Sequence, residues 1–558
     1  MLCYPENIWQ VVSSKNSISY EERGAGKMTK TLITNARIID GSGSPWFRGS
    51  VLVEGDSIAA VGSLQDVVAD VTIDAGGTVL APGFIDIHTH SDIPLLADFR
   101  GMSHITQGVT TNVIGNCGNS AAPLSSHNLV NSRAALKATY PDLNLEWTSL
   151  GDYLGLLESR GVSLNVIPLV GQGTVRGAVM GFADRQPTEE ELDQMRRLVA
   201  EAMEQGAFGL SSGLIYVPGV YAATEEVVEL ARVAARHGGI YASHIRGEND
   251  TLLDAVAEAI YIGEATGIPV QIAHFKAMGR HMWGTSVKTL RMVEEARERG
   301  VQVTCDQYPY NASATGLAAY LPTWAHVGGK DQLLRRLRDA EERAKMTREI
   351  LEGTEDWVSC HKGVGWDNTL ITRCNDCELE GLSVSKIAEL RGIDEFETAY
   401  DLLIENDGQV QVVYFTIGDA DLERIMAHPA VMIGSDSSAV AIDGPTGKGK
   451  PHPRALGTFT RVLGHYVRGK GTITLESAVH KMTAFPAQTL GLFDRGLVRP
   501  GMKADLVVFD PDTVADRATY TDPWQYAVGI KHVLVNGVLT YTEKAHTGAK
   551  AGRVLKRK

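Results

Sequence analysis

The sequence predicts an α/β protein: a (β/α)8 TIM-like barrel carrying a small β-sandwich domain assembled from its N- and C-terminal segments. Three observations carry this expectation. Eight short apolar runs recur through the middle of the 558-residue chain: "FIDIH", "TTNVIGN", "LNVIPLVG", "AFGLSSG", "GIYASHI", "IPVQIAHF", "VQVTCDQY" and "AVMIGSD". Most are separated by helical patterns, and strands alternating with helices are the mark of a parallel barrel. The two ends of the chain have a different texture, of short alternating strands broken by Gly, Ser and Asp turns. Finally, several of the eight runs end in histidine, cysteine or aspartate, the side chains that collect at the mouth of a barrel.

Taken in order, the opening "MLCYPENIWQVVSSKNSISYEERGAGKMTK" has no charged head followed by an apolar core, so no secretory signal is expected. Residues 1–28 are expected to form a disordered extension, with Met28 as an alternative start. The alternating segment "TLITNARIIDGSGSPWFRGSVLVEGDSIAAVGS" opens a composite β domain spanning 29–82 and 486–548, completed by "RGLVRPGMKADLVVFDP" and "IKHVLVNGVLTYT". Between them, 83–485 is expected to be the barrel. Its clearest helix is "TEEELDQMRRLVAEAMEQG", with a capping-box start at Thr188 and a stop at Gly206. The strand spacing breaks at about residues 310–410, an insertion of the kind that builds lids or substrate walls.

Composition narrows the partners. A net charge of -14 and a pI near 5.6 argue against nucleic acid and membrane surfaces. No apolar run is long enough to span a membrane. Six cysteines over the whole chain make no disulfide framework, which points to the cytoplasm. The oligomeric state is left open.

Metal chemistry is read from the strand ends. In "PGFIDIHTHSD" the first strand ends in His88 and His90, which share a face because side chains alternate along a strand. Strand two brings Cys117 in "IGNCG", strand five His244 in "SHIRGE", strand six His274 in "AHFK" and strand eight Asp436 in "IGSD". Imidazole and thiolate together favour zinc over magnesium or calcium. Asp86, inside strand one, is read as structural. His104, His281 and His452 are left unassigned. The "CNDC" at 374–377 lacks a second pair at zinc-ribbon spacing and is read as a loop.

Together "PGFIDIHTHSD", "QGVTTNVIGNCG", "GLSSGLIYVPG", "SHIRGE", "AHFK" and "IGSDSS…HPRALGTFTRVLG" resemble the N-acyl-D-amino-acid deacylases, or D-aminoacylases, of the amidohydrolase superfamily. The likeness runs over about residues 30–545. Many relatives in the superfamily bridge two metals with a carboxylated lysine from strand four. Here strand four reads "AFGLSSGLIY", and the resemblance puts Cys117 in the bridging position. It further implies one tight zinc on Cys117, His244 and His274, and a second, weaker one using His88, His90 and the same sulfur. Preference for the D isomer is implied by the resemblance alone. Many relatives carry glycine after the strand-eight aspartate, where this chain has Ser437 and Ser438; the change bears on pocket width and the preferred side chain.

The expected reaction is zinc-dependent hydrolysis of an N-acyl-D-amino acid to a carboxylate and a free D-amino acid. Metal-bound water attacks, and Asp436 serves as general base and then acid. The substrate's own carboxylate needs a cation and donors, for which Arg454, Lys276, Tyr216 and Tyr308 are candidates. Arg454 comes first because a guanidinium grips a carboxylate with two parallel hydrogen bonds. Three alternatives compete. A cyclic-amide hydrolase of the hydantoinase or dihydroorotase kind would keep the metal but use the lysine bridge. A serine hydrolase would use the G-x-S-x-G match at Gly209–Gly213, yet the extended, proline-containing "LIYVPGVYAATEE" follows it instead of a helix. A non-enzymatic binding barrel would be expected to have lost ligands, and none is missing.

Overall fold

A computed structural model describes residues 29–354, 357–543 and 545–557. The expected extension at 1–28 lies outside the described residues. All eight predicted barrel strands are present. In order they are Phe84–Asp86, Val109–Ile114, Asn165–Pro168 continued by Val170–Gly171, Gly209–Gly213, Ile240–His244, Val270–Ile272, Val303–Gln307 and Val431–Ile433. Each pairs in parallel with the next, and the third joins its two neighbours through its two halves. The ring closes between the eighth and first strands. There Thr89 and Ser437 form a parallel bridge, Asp436 N donates to His88 O at 2.8 Å and His90 N to Ser437 O at 2.9 Å.

The strands are short and buried because both faces are covered. Outside, Val166, Leu210, Tyr241, Val270 and Val303 pack against apolar faces of helices such as Glu189–Glu204. That helix starts from Thr188 with the predicted capping box, in which Thr188 and Glu191 each satisfy the other's backbone N–H, and the chain leaves it at Gly206 with φ of 115°. Inside, Ile85, Ile87, Val113, Ile167, Ile240 and Met432 form one cluster. Only the centre of a ring brings side chains of so many strands together.

The terminal segments form one nine-stranded sheet in which Lys30–Ile38 pairs antiparallel with Phe47–Glu54. Its first half also pairs with Val71–Asp74 and its second half with Val79–Pro82. Asn35, at φ 54° between the halves, marks the bend. The sheet thereby folds over a core of Ile33, Val51, Ile73, Leu80, Leu506 and Leu534. Residues beyond 548, which the sequence reading left outside every element, run past the barrel: Val166 N donates to Arg553 O and Leu555 N to Val166 O.

A buried polar knot ties sheet to barrel. The Arg495 guanidinium pairs with Asp505, both almost fully buried, while Asn165 Nδ2 donates to Asp505 Oδ2 at 3.0 Å and Asn536 N to Asp505 Oδ1 at 2.7 Å. Removing one partner strands a buried charge. Asp505→Ala is therefore expected to lower stability by about 3–5 kcal/mol, measured as a shift of the chemical-denaturation midpoint.

The insertion is a compact α/β unit. Ala312–Gly316, Gln411–Phe415 and Thr369–Arg373 form an antiparallel sheet backed by Leu317, Tyr320, Ile350, Trp366 and Tyr400. Its first strand leaves directly from the seventh barrel strand, so the unit stands over the barrel mouth. Among the described residues no helix is long and apolar enough to cross a membrane.

Candidate active site

The regular part of the first strand ends at Asp86, and His88 and His90 sit on the extended segment beyond it. Both rings reach Asp436: His88 Nε2 lies 3.4 Å and His90 Nε2 3.1 Å from its Oδ1. His88 Nε2 is also 3.2 Å from Cys117 Sγ. The sulfur lies 3.7 Å from His274 Nε2, which is 2.7 Å from His244 Nδ1. The six metal-binding and acid candidates therefore meet as two donor groups. His88, His90, Cys117 and Asp436 form one, Cys117, His244 and His274 the other, and within each group the donor atoms lie within 4.8 Å of one another.

The backbone is bent at this place. Cys117, His274 and Asp436 have φ of 52°, 36° and 50°, the left-handed region that non-glycine residues avoid. Each such residue costs about 1–3 kcal/mol, and three of them at three strand ends mark a functional site. The bend turns each side chain off its strand and into the mouth.

Electrostatics match the geometry. Burial disfavours the Cys117 thiolate, but the His88 charge and the neighbouring His244 and His274 imidazoles outweigh it and hold the thiol well below its ordinary pKa. Burial likewise opposes ionisation of Asp436, yet Arg454, His88 and His274 keep the carboxyl well below the usual range. A thiolate, imidazoles and a carboxylate are a donor set suited to zinc, and buried His244 Nε2 has no hydrogen-bond partner among the described residues. These residues fit a metal.

Two acids that sequence reasoning missed position the imidazoles. Asp306 Oδ1 lies 3.1 Å from His88 Nδ1 and accepts from His274 N at 2.9 Å, and Gln271 Nε2 holds its other oxygen at 2.7 Å. Glu248 lies 3.0 Å from His274 Nδ1 and pairs with Lys276. A carboxylate on the outer nitrogen fixes the tautomer and aim of a metal-binding histidine. The available signals were the strand-seven aspartate in "CDQY" and the glutamate in "SHIRGE". Asp86 is wholly buried, accepts from Ser435 N at 2.9 Å, and is pushed up to about 7 by burial.

The four substrate-binding candidates line the same cavity, of about 950 Å³. Arg454 Nη1 sits 2.9 Å from Asp436 Oδ2 without a well-directed hydrogen bond, and its guanidinium stacks on Tyr308 at 4.6 Å. Lys276 is already engaged, by Glu248 and by His274 O at 2.9 Å, and its ammonium lies 2.9 Å from His274 Nδ1. The Tyr216 ring packs edge-on to His244 and its hydroxyl meets Thr315 Oγ1 at 3.2 Å; Tyr308 OH meets Ser313 Oγ at 2.8 Å.

The remaining histidines separate. His452 lines the cavity, fixed between Ala312 O and Arg454 N, whereas His104 is buried between Asn112 and Ser437. His281 contacts Asp250 outside the cavity. Ser437 Oγ donates to Ser435 Oγ at 2.8 Å. Strand four carries no lysine, and its serines are spoken for: Ser211 donates to Gly115 O, and Ser212 meets Tyr241 OH at 2.7 Å.

Fold and site together define a metal-binding (β/α)8 barrel with hydrolase chemistry at its mouth. Residues 71–541 match the amidohydrolase family, and the chain belongs to that family. It is 40% identical over 527 residues to a D-aminoacylase of Alcaligenes xylosoxydans xylosoxydans, covering 94% of this chain and 97% of that one. An N-acyl-D-glutamate deacylase from the same organism is 38% identical over 527 residues, covering 94% and 96%. Among solved structures, the N-acyl-D-glutamate deacylase of Bordetella bronchiseptica, complexed with zinc and a phosphonate mimic of the tetrahedral intermediate, superposes with a TM-score of 0.80. It is 36% identical, over 95% of this chain and 100% of that one.

Proposed function

We propose that this chain hydrolyses the amide bond of N-acyl-D-amino acids, releasing a carboxylate and a free D-amino acid, with zinc as cofactor. The observation that carries the reading is the Cys117 sulfur, grouped with imidazoles from the first, fifth and sixth strands beside the Asp436 carboxylate. Cys117, His244 and His274 would hold the tight zinc, and His88 and His90, with the same sulfur, a weaker second one. When bound, zinc lowers the pKa of water to about 7 and polarises a carbonyl.

The residues do the rest. Asp436 accepts a proton from the attacking water as the new C–O bond forms. It then returns that proton to the amine nitrogen as the C–N bond breaks. His90, 3.1 Å from one Asp436 oxygen, and Arg454, 2.9 Å from the other, fix the carboxylate's aim. The substrate α-carboxylate is assigned to Arg454 first, with Tyr216 and Tyr308 beside it. Lys276 adds positive charge there while it and Glu248 hold the His274 ring. A net charge of -14 supports a small-molecule substrate rather than nucleic acid, and a cytoplasmic location belongs to the same reading.

The test is a hydrolysis panel of paired D and L N-acetyl amino acids, run with metal analysis of the purified protein. D forms are expected to react at least about tenfold faster, a difference of about 1.4 kcal/mol. Equal rates would remove the stereochemical assignment and leave the metal site standing.

A further inference from the structure

The cavity extends beyond the metal donors to the insertion. Its wall there carries Arg373, the last residue of the strand Thr369–Arg373, and Lys448, from the long loop after the eighth barrel strand. Among the described residues neither side chain forms an ion pair. Among the described residues Arg373 makes no side-chain hydrogen bond, and the Lys448 ammonium donates to Thr139 O at 2.8 Å and lies 5.9 Å from the centre of the Tyr140 ring. Partial burial, with the Arg373 charge nearby, holds Lys448 below its ordinary pKa, and Asp142 only partly offsets this. The segments are locked together: Lys450 N donates to Thr372 O at 2.7 Å, and a Cβ on Gly449 would meet the Arg373 Cβ at 3.0 Å. Two cations are thus placed side by side at a cavity wall in a protein with a large excess of acid.

The sheet fixes where this wall stands relative to the metal. Arg373 pairs with Gln411, and Gln411 with Gly316. Next to Gly316 is Thr315, whose hydroxyl meets Tyr216, the ring packed on His244. Two strand spacings, about 10 Å, therefore separate the Arg373 backbone from the strand carrying Thr315, and the Tyr216 ring lies between that strand and His244. Arg373 thus lines the same cavity as the metal donors but on its far wall, where its long side chain can meet a group carried on the substrate away from the amide being cut. Arg454 already serves one carboxylate close to the metal, so a second anion is left for Arg373 and Lys448.

We propose that Arg373 and Lys448 form an anion subsite that selects N-acyl-D-amino acids whose side chain ends in a carboxylate. The inference rests on the deacylase reading above and deepens it. Arg373, half-buried, supplies the directed fork of donors. Lys448, at the exposed rim, adds long-range attraction and is worth less.

The experiment compares kcat/KM for N-acetyl-D-glutamate, N-acetyl-D-glutamine and N-acetyl-D-leucine in the zinc-loaded wild type, Arg373→Gln and Lys448→Gln. Glutamine keeps the size of glutamate and removes its charge. Wild type is expected to prefer glutamate over glutamine by about 100-fold or more, as a directed guanidinium–carboxylate pair reinforced by a second cation allows. Arg373→Gln should reduce that ratio about 100-fold, mainly through KM for glutamate, and Lys448→Gln about tenfold, more at low salt than at high. A wild type that cleaves glutamine or leucine as fast as glutamate overturns the subsite. So does an unchanged glutamate-to-glutamine ratio in Arg373→Gln, the result of a merely structural arginine. Should that variant not fold, an unchanged ratio in Lys448→Gln, whose side chain is exposed, overturns the shared subsite. Hydrolysis of none of the three in the D form removes the deacylase reading itself, a failure distinct from the loss of acidic selectivity.

Discussion

Cys117→Ala is expected to abolish metal binding and turnover together. The reason is that one sulfur belongs to both donor groups, so its loss breaks each of them at once. What remains is two pairs of imidazoles and a carboxylate, without the strongest donor for zinc. Hydrolysis should fall by at least about 10⁴-fold, because the nucleophile reverts to ordinary water. Elemental analysis of the purified variant beside wild type checks the first half, and amine release the second. A variant that keeps a stoichiometric zinc would show that the imidazoles alone suffice and that the bridging assignment is wrong. Cys117→Ala also relieves no backbone strain, since alanine at φ 52° is as unwelcome as cysteine; a loss of stability is not expected to be the cause.

Asp436→Ala is expected to behave differently. It should keep the zinc of the Cys117, His244 and His274 group, to which Asp436 does not belong, and lose turnover by about 10²–10⁴-fold. The carboxylate touches His88 and His90 on one oxygen and Arg454 on the other, so its removal also frees Arg454. A second signature follows from that: substrate affinity should hold or improve while kcat collapses, since the guanidinium no longer has a competing anion. Full activity in Asp436→Ala would end the acid/base assignment. Simultaneous loss of all zinc would instead place Asp436 among the ligands of the tight site.

How much of this was legible beforehand depended on how local each signal is. The eight strand runs could be read because each is a short apolar stretch bounded by turn residues. The helix after Thr188 could be read because its capping box is complete within four residues. The candidate donors could be gathered because each sits at or just beyond a strand end, and a barrel sends all its strand ends to one mouth. Asp306 and Glu248 could not. An aspartate late in a strand and a glutamate after an arginine and glycine look like ordinary polar residues until the chain brings them against His88 and His274. The partners lie 218 residues apart in the first case, and no periodicity links them.

The same reasoning separates what belonged to the sequence from what belonged to the fold. The sequence by itself determined the barrel, the composite sheet at its side and the kinds of donor at the mouth, since apolar periodicity and turn chemistry act over a few neighbouring residues. Only the tertiary structure decided that Lys276 is already held by Glu248, that Cys117, His274 and Asp436 take left-handed backbone, and that Arg373 and Lys448 line the same cavity wall. Those outcomes depend on packing between distant segments, where burial and unlike charges select one arrangement that no single stretch of chain encodes.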